Sequence, residues 1–191
     1  MTDPYVLPNG VLRNRLGITD AAALAAAEAD ITRARLLQLH EHPPPGDLDL
    51  AHLCRFHSTI FGDLYDWAGE LRTVDIAKHT PFCPLQHLTA YAAEVFGRLH
   101  AADHLRGLAR GDFVRATAEL YGDINALHPF REGNGRAQRA FFNELSRQAG
   151  WPINWATLTP DENQEASIKS FLGDNQPLER MLDRLVSQKP G

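Results

Sequence analysis

The sequence predicts an all-α, single-domain helical bundle carrying one short β-hairpin, and three observations predict it. The chain has 191 residues, 43% of them hydrophobic, enough for one well-buried core and no expected second domain. Proline and glycine punctuate apolar stretches that recur at helical spacing. LRTVDIA alternates apolar and polar residues, though only briefly. The expected organisation is therefore one domain over residues 1–191, with a core of about 49–150, an N-terminal helix at 19–40 and C-terminal helices within 161–187.

Taken in order, Thr19 or Asp20 can cap a long alanine-rich helix that runs to about His40, where Pro43, Pro44 and Pro45 force a connection. A second helix spans Asp49 to Phe61, with Leu50, Leu53, His57 and Ile60 on one side. The hairpin region follows. A third helix lies near Leu85 to Ala102, and a fourth from Asp112 to Leu127 sets Leu120, Ile124 and Leu127 in one core-facing stripe. A fifth carries Phe141, Phe142 and Leu145, read as core, before Gly150 stops it. Helices from about Asp161 to Leu172 and Leu178 to Ser187 close the bundle, Pro177 standing where helices begin.

The chemistry is concentrated between the fourth and fifth helices, in HPFREGNGRAQR (His128–Arg139). Pro129 biases His128 away from helical angles, which leaves its imidazole on a loop lip with a ring nitrogen free to take a proton. Gly133, Asn134 and Gly135 allow a sharp turn and a close ligand approach, and their amides at a helix start form an anion cradle. Arg136 and Arg139 share a helix face and present planar forks to phosphate oxygens. Glu132 beside them is a natural ligand for Mg2+, which takes one or two carboxylates and completes its shell with phosphate oxygens and water. Singly, each feature is ordinary: a histidine before proline is a loop residue, Gly-Asn-Gly a turn, an arginine pair a solvated face. Contiguity, in an order that gives each residue a role around one polyphosphate, argues for a nucleotide site with Mg2+ as cofactor.

HPFREGNGRAQR resembles the signature of the Fic family, HPFx(D/E)GNGRxxR, at every specified position. YVLPNGVLRNRLGITD (Tyr5–Asp20), WAGELRTVDIAK (Trp67–Lys78), TPFCP (Thr80–Pro84) and NQEASIKSFLGDNQPL (Asn163–Leu178) are similar to the same family, so the resemblance spans most of the chain. It implies a Fic-type helical bundle with the hairpin as a flap over the active site. It also implies a protein adenylyltransferase that moves AMP from ATP to a target hydroxyl and releases pyrophosphate. His128 resembles the family's catalytic base and Glu132 its Mg2+ ligand. Gly133, Asn134, Gly135 and Arg136 resemble its phosphate cradle, and Arg139 the arginine that orients the γ-phosphate. Leu71–Phe82 resembles the flap, in which Val74, Asp75, Ile76, Ala77, Lys78 and Thr80 would dock extended target backbone. Read alone, the same stretch is equally an ordinary edge hairpin.

Many family members carry an inhibitory helix of pattern (S/T)xxxE(G/N), yet no serine or threonine here has a glutamate four residues later. The resemblance then implies a toxin restrained in trans by a small antitoxin bearing that helix, with the ATPase subunits of DNA gyrase and topoisomerase IV as leading targets. The alternatives are transfer of another phosphate-containing group, or a catalytically idle nucleotide- and protein-binding module. A net charge of −5 argues against direct nucleic-acid binding as the main business. Cys54 and Cys83 lack disulfide or metal spacing, and His40, His42, His52 and His57 lack a metal motif. No signal segment or apolar run of membrane length is present, so a cytoplasmic location without membrane contact is expected.

Overall fold

The computed structural model describes residues 3–78 and 81–187, an all-α arrangement with isolated bridges in place of strands among those residues. Helix α1 (Ala21–Glu41) begins where Asp20, in extended backbone, accepts from the Ala23 amide at 2.8 Å. Between the two cap candidates the carboxylate takes the role. Replacing Asp20 with Ala should cost about 1 kcal/mol, read as a lower urea midpoint at unchanged slope.

Helix α2 (Leu50–Phe61) starts one residue later than the spacing predicted, because Asp49 is its cap and accepts from the His52 amide at 2.7 Å. His52 closes the proline turn ahead of it, lying 2.8 Å from the Pro44 carbonyl through Nε2 and accepting from the Leu48 amide through Nδ1. A single 3-10 turn at Leu85–His87 leads into α3 (Leu88–Ala101), and α4 (Arg110–Leu127) buries Leu120, Ile124 and Leu127. Helix α5 (Asn134–Ala149) stops at Gly150, whose φ of 82° lies in the left-handed region. Helix α6 (Pro160–Phe171) is capped by Thr159, and α7 (Gln176–Leu185) has its proline in the first turn.

The core forms where α2 meets α5, with α4 packed on α7 and α6 laid across α7. Phe56 and Phe61 from α2, Phe113 from α4, and Phe141 and Phe142 from α5 are all at most 1% exposed. Each such ring contributes about 1.5–3 kcal/mol by leaving water. Phe141 stands edge-on to Phe56, Phe96 and Phe142, so the α5 aromatics are core residues.

The N-terminal segment folds back onto Thr73 and the motif's Arg131. Val6 pairs with Leu12, the Tyr5 hydroxyl accepts from the Thr73 amide at 3.0 Å, and Asp3 meets Arg131 at 2.8 Å. The flap segment shows one antiparallel bridge, Ala77 with Pro81, and a 3.3 Å bond from the Phe82 amide to the Ile76 carbonyl. A longer ladder is prevented locally: the Val74 and Cys83 carbonyls are taken by the Arg72 guanidinium, and Pro81 has no amide hydrogen to give. Thr80, assigned to the flap from sequence, lies outside the described residues. No helix among them is long and apolar enough to cross a membrane.

Candidate active site

Helix α4 ends at His128 because the chain there turns left-handed, φ 44° and ψ 62°, while its amide still reaches the Ile124 carbonyl at 3.1 Å. The helical region is disfavoured before Pro129, and the left-handed excursion swings the imidazole out of the helix line. Its Nδ1 lies 3.2 Å from the Asn125 carbonyl, an oxygen that only accepts, so Nδ1 carries the proton and Nε2 is left as a bare acceptor. The ring stacks on Phe82 with centroids 3.7 Å apart and planes 9° from parallel. Burial pushes its pKa down to about 4, against the raising effect of the Asn125 carbonyl and with Lys78 and Arg72 adding to the fall. A neutral imidazole with one free lone pair has the form a general base needs.

From Phe130, a core residue with no exposed surface, the chain crosses to α5. Gly133 caps that helix at φ 80°, and a Cβ there would lie 2.3 Å from the Phe61 ring, so both backbone and space require glycine. The first amides of α5, those of Asn134 and Gly135, have no acceptor inside the helix and carry its positive dipole end. The Asn134 side chain is turned the other way. Its Oδ1 accepts from the Phe130 amide at 2.9 Å and its Nδ2 donates to the Phe130 carbonyl at 2.7 Å, so it staples the loop and only its backbone remains for a ligand. Glu132 accepts from the Gly133 amide at 2.8 Å through Oε1, and its side chain is 46% exposed.

The two arginines are held differently. Arg136 lies over the Phe61 ring at 4.7 Å and donates to Glu28 at 2.5 Å and Thr32 at 3.2 Å, both on α1. Glu28 also accepts from the Tyr65 hydroxyl. Arg139 has no carboxylate partner among the described residues. Both arginines, with His128, Glu132, Gly133 and Gly135, line one cleft of about 560 Å³. Of the flap residues assigned from sequence, Lys78 joins that wall, while Val74, Asp75, Ile76 and Ala77 stand outside it. Asp75 instead accepts from the Leu85 amide at 2.7 Å.

Sequence reasoning missed three contributors. The far wall of the cleft is α6, through Asn163, Ser167 and Ile168; Asn163 accepts from the Tyr121 hydroxyl at 2.7 Å, and the buried Ser167 hydroxyl finds no partner among the described residues. Arg72 is buried beneath His128. His57, placed on an apolar stripe by its spacing, lies fully buried under the motif. Its Nδ1 accepts from the Gly69 amide at 2.8 Å, so its Nε2 hydrogen points at the Glu132 carbonyl 2.9 Å away, and its ring stacks on Phe130 at 3.9 Å. A histidine on a buried helix face beside a loop glycine was the one available signal.

Burial likewise pushes the His57 pKa down to about 4, partly opposed by the Glu132 carbonyl. Both histidines therefore stay neutral in the folded chain where the unfolded chain, titrating near 6.5, takes up protons. Stability from this source is complete above about pH 6.5 and is lost as pH falls towards 4. Urea midpoints at a series of pH values should fall across that window, and His57→Gln should show a shallower fall than the parent.

A neutral imidazole, a helix N-terminus, two guanidiniums and one carboxylate are brought together on one cleft. Residues 47–146 match the Fic/DOC family. The chain is 38% identical over 188 residues to protein adenylyltransferase VbhT of Bartonella schoenbuchensis, covering 97% of this chain and 39% of that longer protein. It is 36% identical to the probable protein adenylyltransferase Fic of Salmonella typhimurium, covering 97% of this chain and 93% of that one. Among solved structures, the N-terminal Fic domain of a putative cell filamentation protein from Bartonella quintana, with bound ADP, superimposes with a TM-score of 0.90 at 27% identity, covering 97% of this chain and 95% of that one. The chain belongs to the Fic/DOC family.

Proposed function

We propose that this chain is a nucleotidyltransferase of the protein adenylyltransferase kind, moving AMP from ATP to a hydroxyl side chain of a target protein. The observation that carries the reading is a neutral His128, its Nδ1 committed to Asn125, on the same cleft as the α5 N-terminus and two arginines. In the reaction His128 Nε2 takes the proton of the target hydroxyl. The hydroxyl oxygen bonds to the α-phosphorus, the bond from that phosphorus to the bridging oxygen breaks, and pyrophosphate leaves with the electron pair. The Asn134 and Gly135 amides and Arg136 hold the phosphates, and Arg139, without a carboxylate of its own, holds the terminal one in line. The relatives' names and the ADP-bound neighbour support the reading.

Mg2+ fits the donor set. Among the described residues no three histidine, cysteine or acidic side chains converge as a metal cage, while Glu132 offers one half-exposed carboxylate at the edge of the phosphate cradle. One carboxylate plus phosphate oxygens and water is the usual Mg2+ shell, and the ion would neutralise charge on the phosphates.

The finer reading is a cytoplasmic toxin held by a separate antitoxin. A groove of about 610 Å³ on the other side of the arginines, lined by Leu36, Leu37, Trp155, Arg136 and Arg139, suits an amphipathic helix presenting a glutamate, and Leu37 is 67% exposed there. The ATPase subunits of DNA gyrase and topoisomerase IV remain the proposed targets, on the family resemblance. The test is incubation with Mg2+, a bacterial lysate and ATP labelled at either the α or the γ position. Protein labelling from the α position supports AMP transfer; labelling from the γ position indicates a kinase, and labelling from neither an idle binding module.

A further inference from the structure

We infer that Arg72, at the base of the flap, is a positioning residue for the catalytic base, tying the His128 loop to the chain on both sides of the flap turn. The inference rests on the AMP-transfer reading above. Arg72 is 2% exposed, and among the described residues its guanidinium has no buried carboxylate to meet: Asp75 lies 3.8 Å away on a side chain 74% exposed. Carbonyl oxygens surround it instead. Nε donates to the His128 carbonyl at 2.9 Å, Nη1 to the Val74 carbonyl at 2.8 Å, and Nη2 to the Cys83 carbonyl and, at 3.5 Å, to that of Leu127. Its own amide donates to the Pro129 carbonyl at 2.9 Å.

The arrangement answers two needs at once. A buried cation is costly unless it is fully hydrogen-bonded, and four carbonyls provide that. The carbonyls of Leu127 and His128 are the ones α4 leaves without intrahelical donors, and they carry the negative end of its dipole. His128 itself sits in left-handed backbone, which a residue other than glycine keeps only where its surroundings over-determine it. Arg72 supplies part of that constraint from behind: it is absent from the cleft wall and, of the residues lining it, bonds His128. The carbonyls of Val74, within the flap, and Cys83, just past it, share the same guanidinium, with Phe82, next to Cys83, stacked on the imidazole. Target docking on the flap and placement of the base therefore run through one side chain. Lysine keeps the charge but is a compact ammonium that cannot reproduce the planar fork.

The test compares Arg72→Lys with the parent and with His128→Asn, measuring near-UV circular dichroism, ATP affinity and AMP transfer at saturating ATP. The inference expects a folded Arg72→Lys with unchanged ATP affinity and KM for ATP, and kcat lower by roughly 10- to 100-fold, the penalty for a misplaced reacting group. A folded variant with parental kcat overturns it, as does one whose kcat and KM for ATP change together. If Arg72→Lys does not fold, native hydrogen exchange of the parent decides: Arg72 and His128 amides opening together supports the inference, and the flap opening well before His128 overturns it. A parent that transfers no AMP defeats the functional reading instead, and the exchange result still judges Arg72.

Discussion

Replacing His128 with alanine is expected to lower AMP transfer by roughly 10²- to 10⁴-fold, the usual share of a general base, while ATP still binds. The separation follows from the geometry. The phosphates are assigned to the α5 amides, Arg136 and Arg139, none of which depends on the imidazole, whereas the only bare nitrogen assigned to the proton is His128 Nε2. Alanine also sits poorly in left-handed backbone, so His128→Asn is the cleaner variant: asparagine tolerates φ near 44° and offers no comparable base. Both variants should lose kcat alike with near-parental nucleotide affinity, measured by single-turnover labelling and calorimetry. A kcat loss confined to alanine would assign the effect to the loop and not to the base.

Gly133→Ala is expected to be strongly destabilising. The new methyl would lie 2.3 Å from Phe61, a ring with no exposed surface that also supports the Arg136 guanidinium at 4.7 Å. Neither side has room to yield, and φ of 80° is unfavourable for any side chain. Overpacking and left-handed backbone together should cost about 2–4 kcal/mol, a fall in melting temperature of roughly 5–15 °C for a chain of this size. Nucleotide affinity should fall with it, since the α5 amides and Arg136 move together. Gly135→Ala is the control, because a Cβ there meets only the Arg139 side chain end at an ordinary 3.4 Å. It should melt close to the parent.

What was legible in the sequence was whatever is written in neighbouring residues. Asp20, Asp49 and Gly150 mark helix ends because caps act within a turn, and the Leu120, Ile124 and Leu127 stripe is buried as its spacing requires. The residues assigned within His128–Arg139 fall in one contiguous stretch of the sequence, and six of the seven line one cleft. Contacts between distant residues left no such trace. Arg72 meets His128 from 56 positions away, His57 meets Glu132 from 75, and Glu28 meets Arg136 from 108. Glu28 in particular looks like a solvated charge in an alanine-rich helix. Side-chain direction was equally hidden: Asn134 is in the cradle by position, yet its amide group is spent on Phe130. The flap's short alternation predicted a hairpin, and the competing demand of a buried guanidinium for the Val74 and Cys83 carbonyls is a tertiary effect that no local pattern announces.

Whether His128 faces the phosphorus to be transferred would be seen in a crystal structure with Mg2+ and a non-hydrolysable ATP analogue. The phosphate chain is expected on the Asn134 and Gly135 amides, the terminal phosphate at Arg139, and the α-phosphate nearest His128 Nε2. A nucleotide bound in reverse, with its γ-phosphate at His128 and its α-phosphate at Arg139, would contradict AMP transfer.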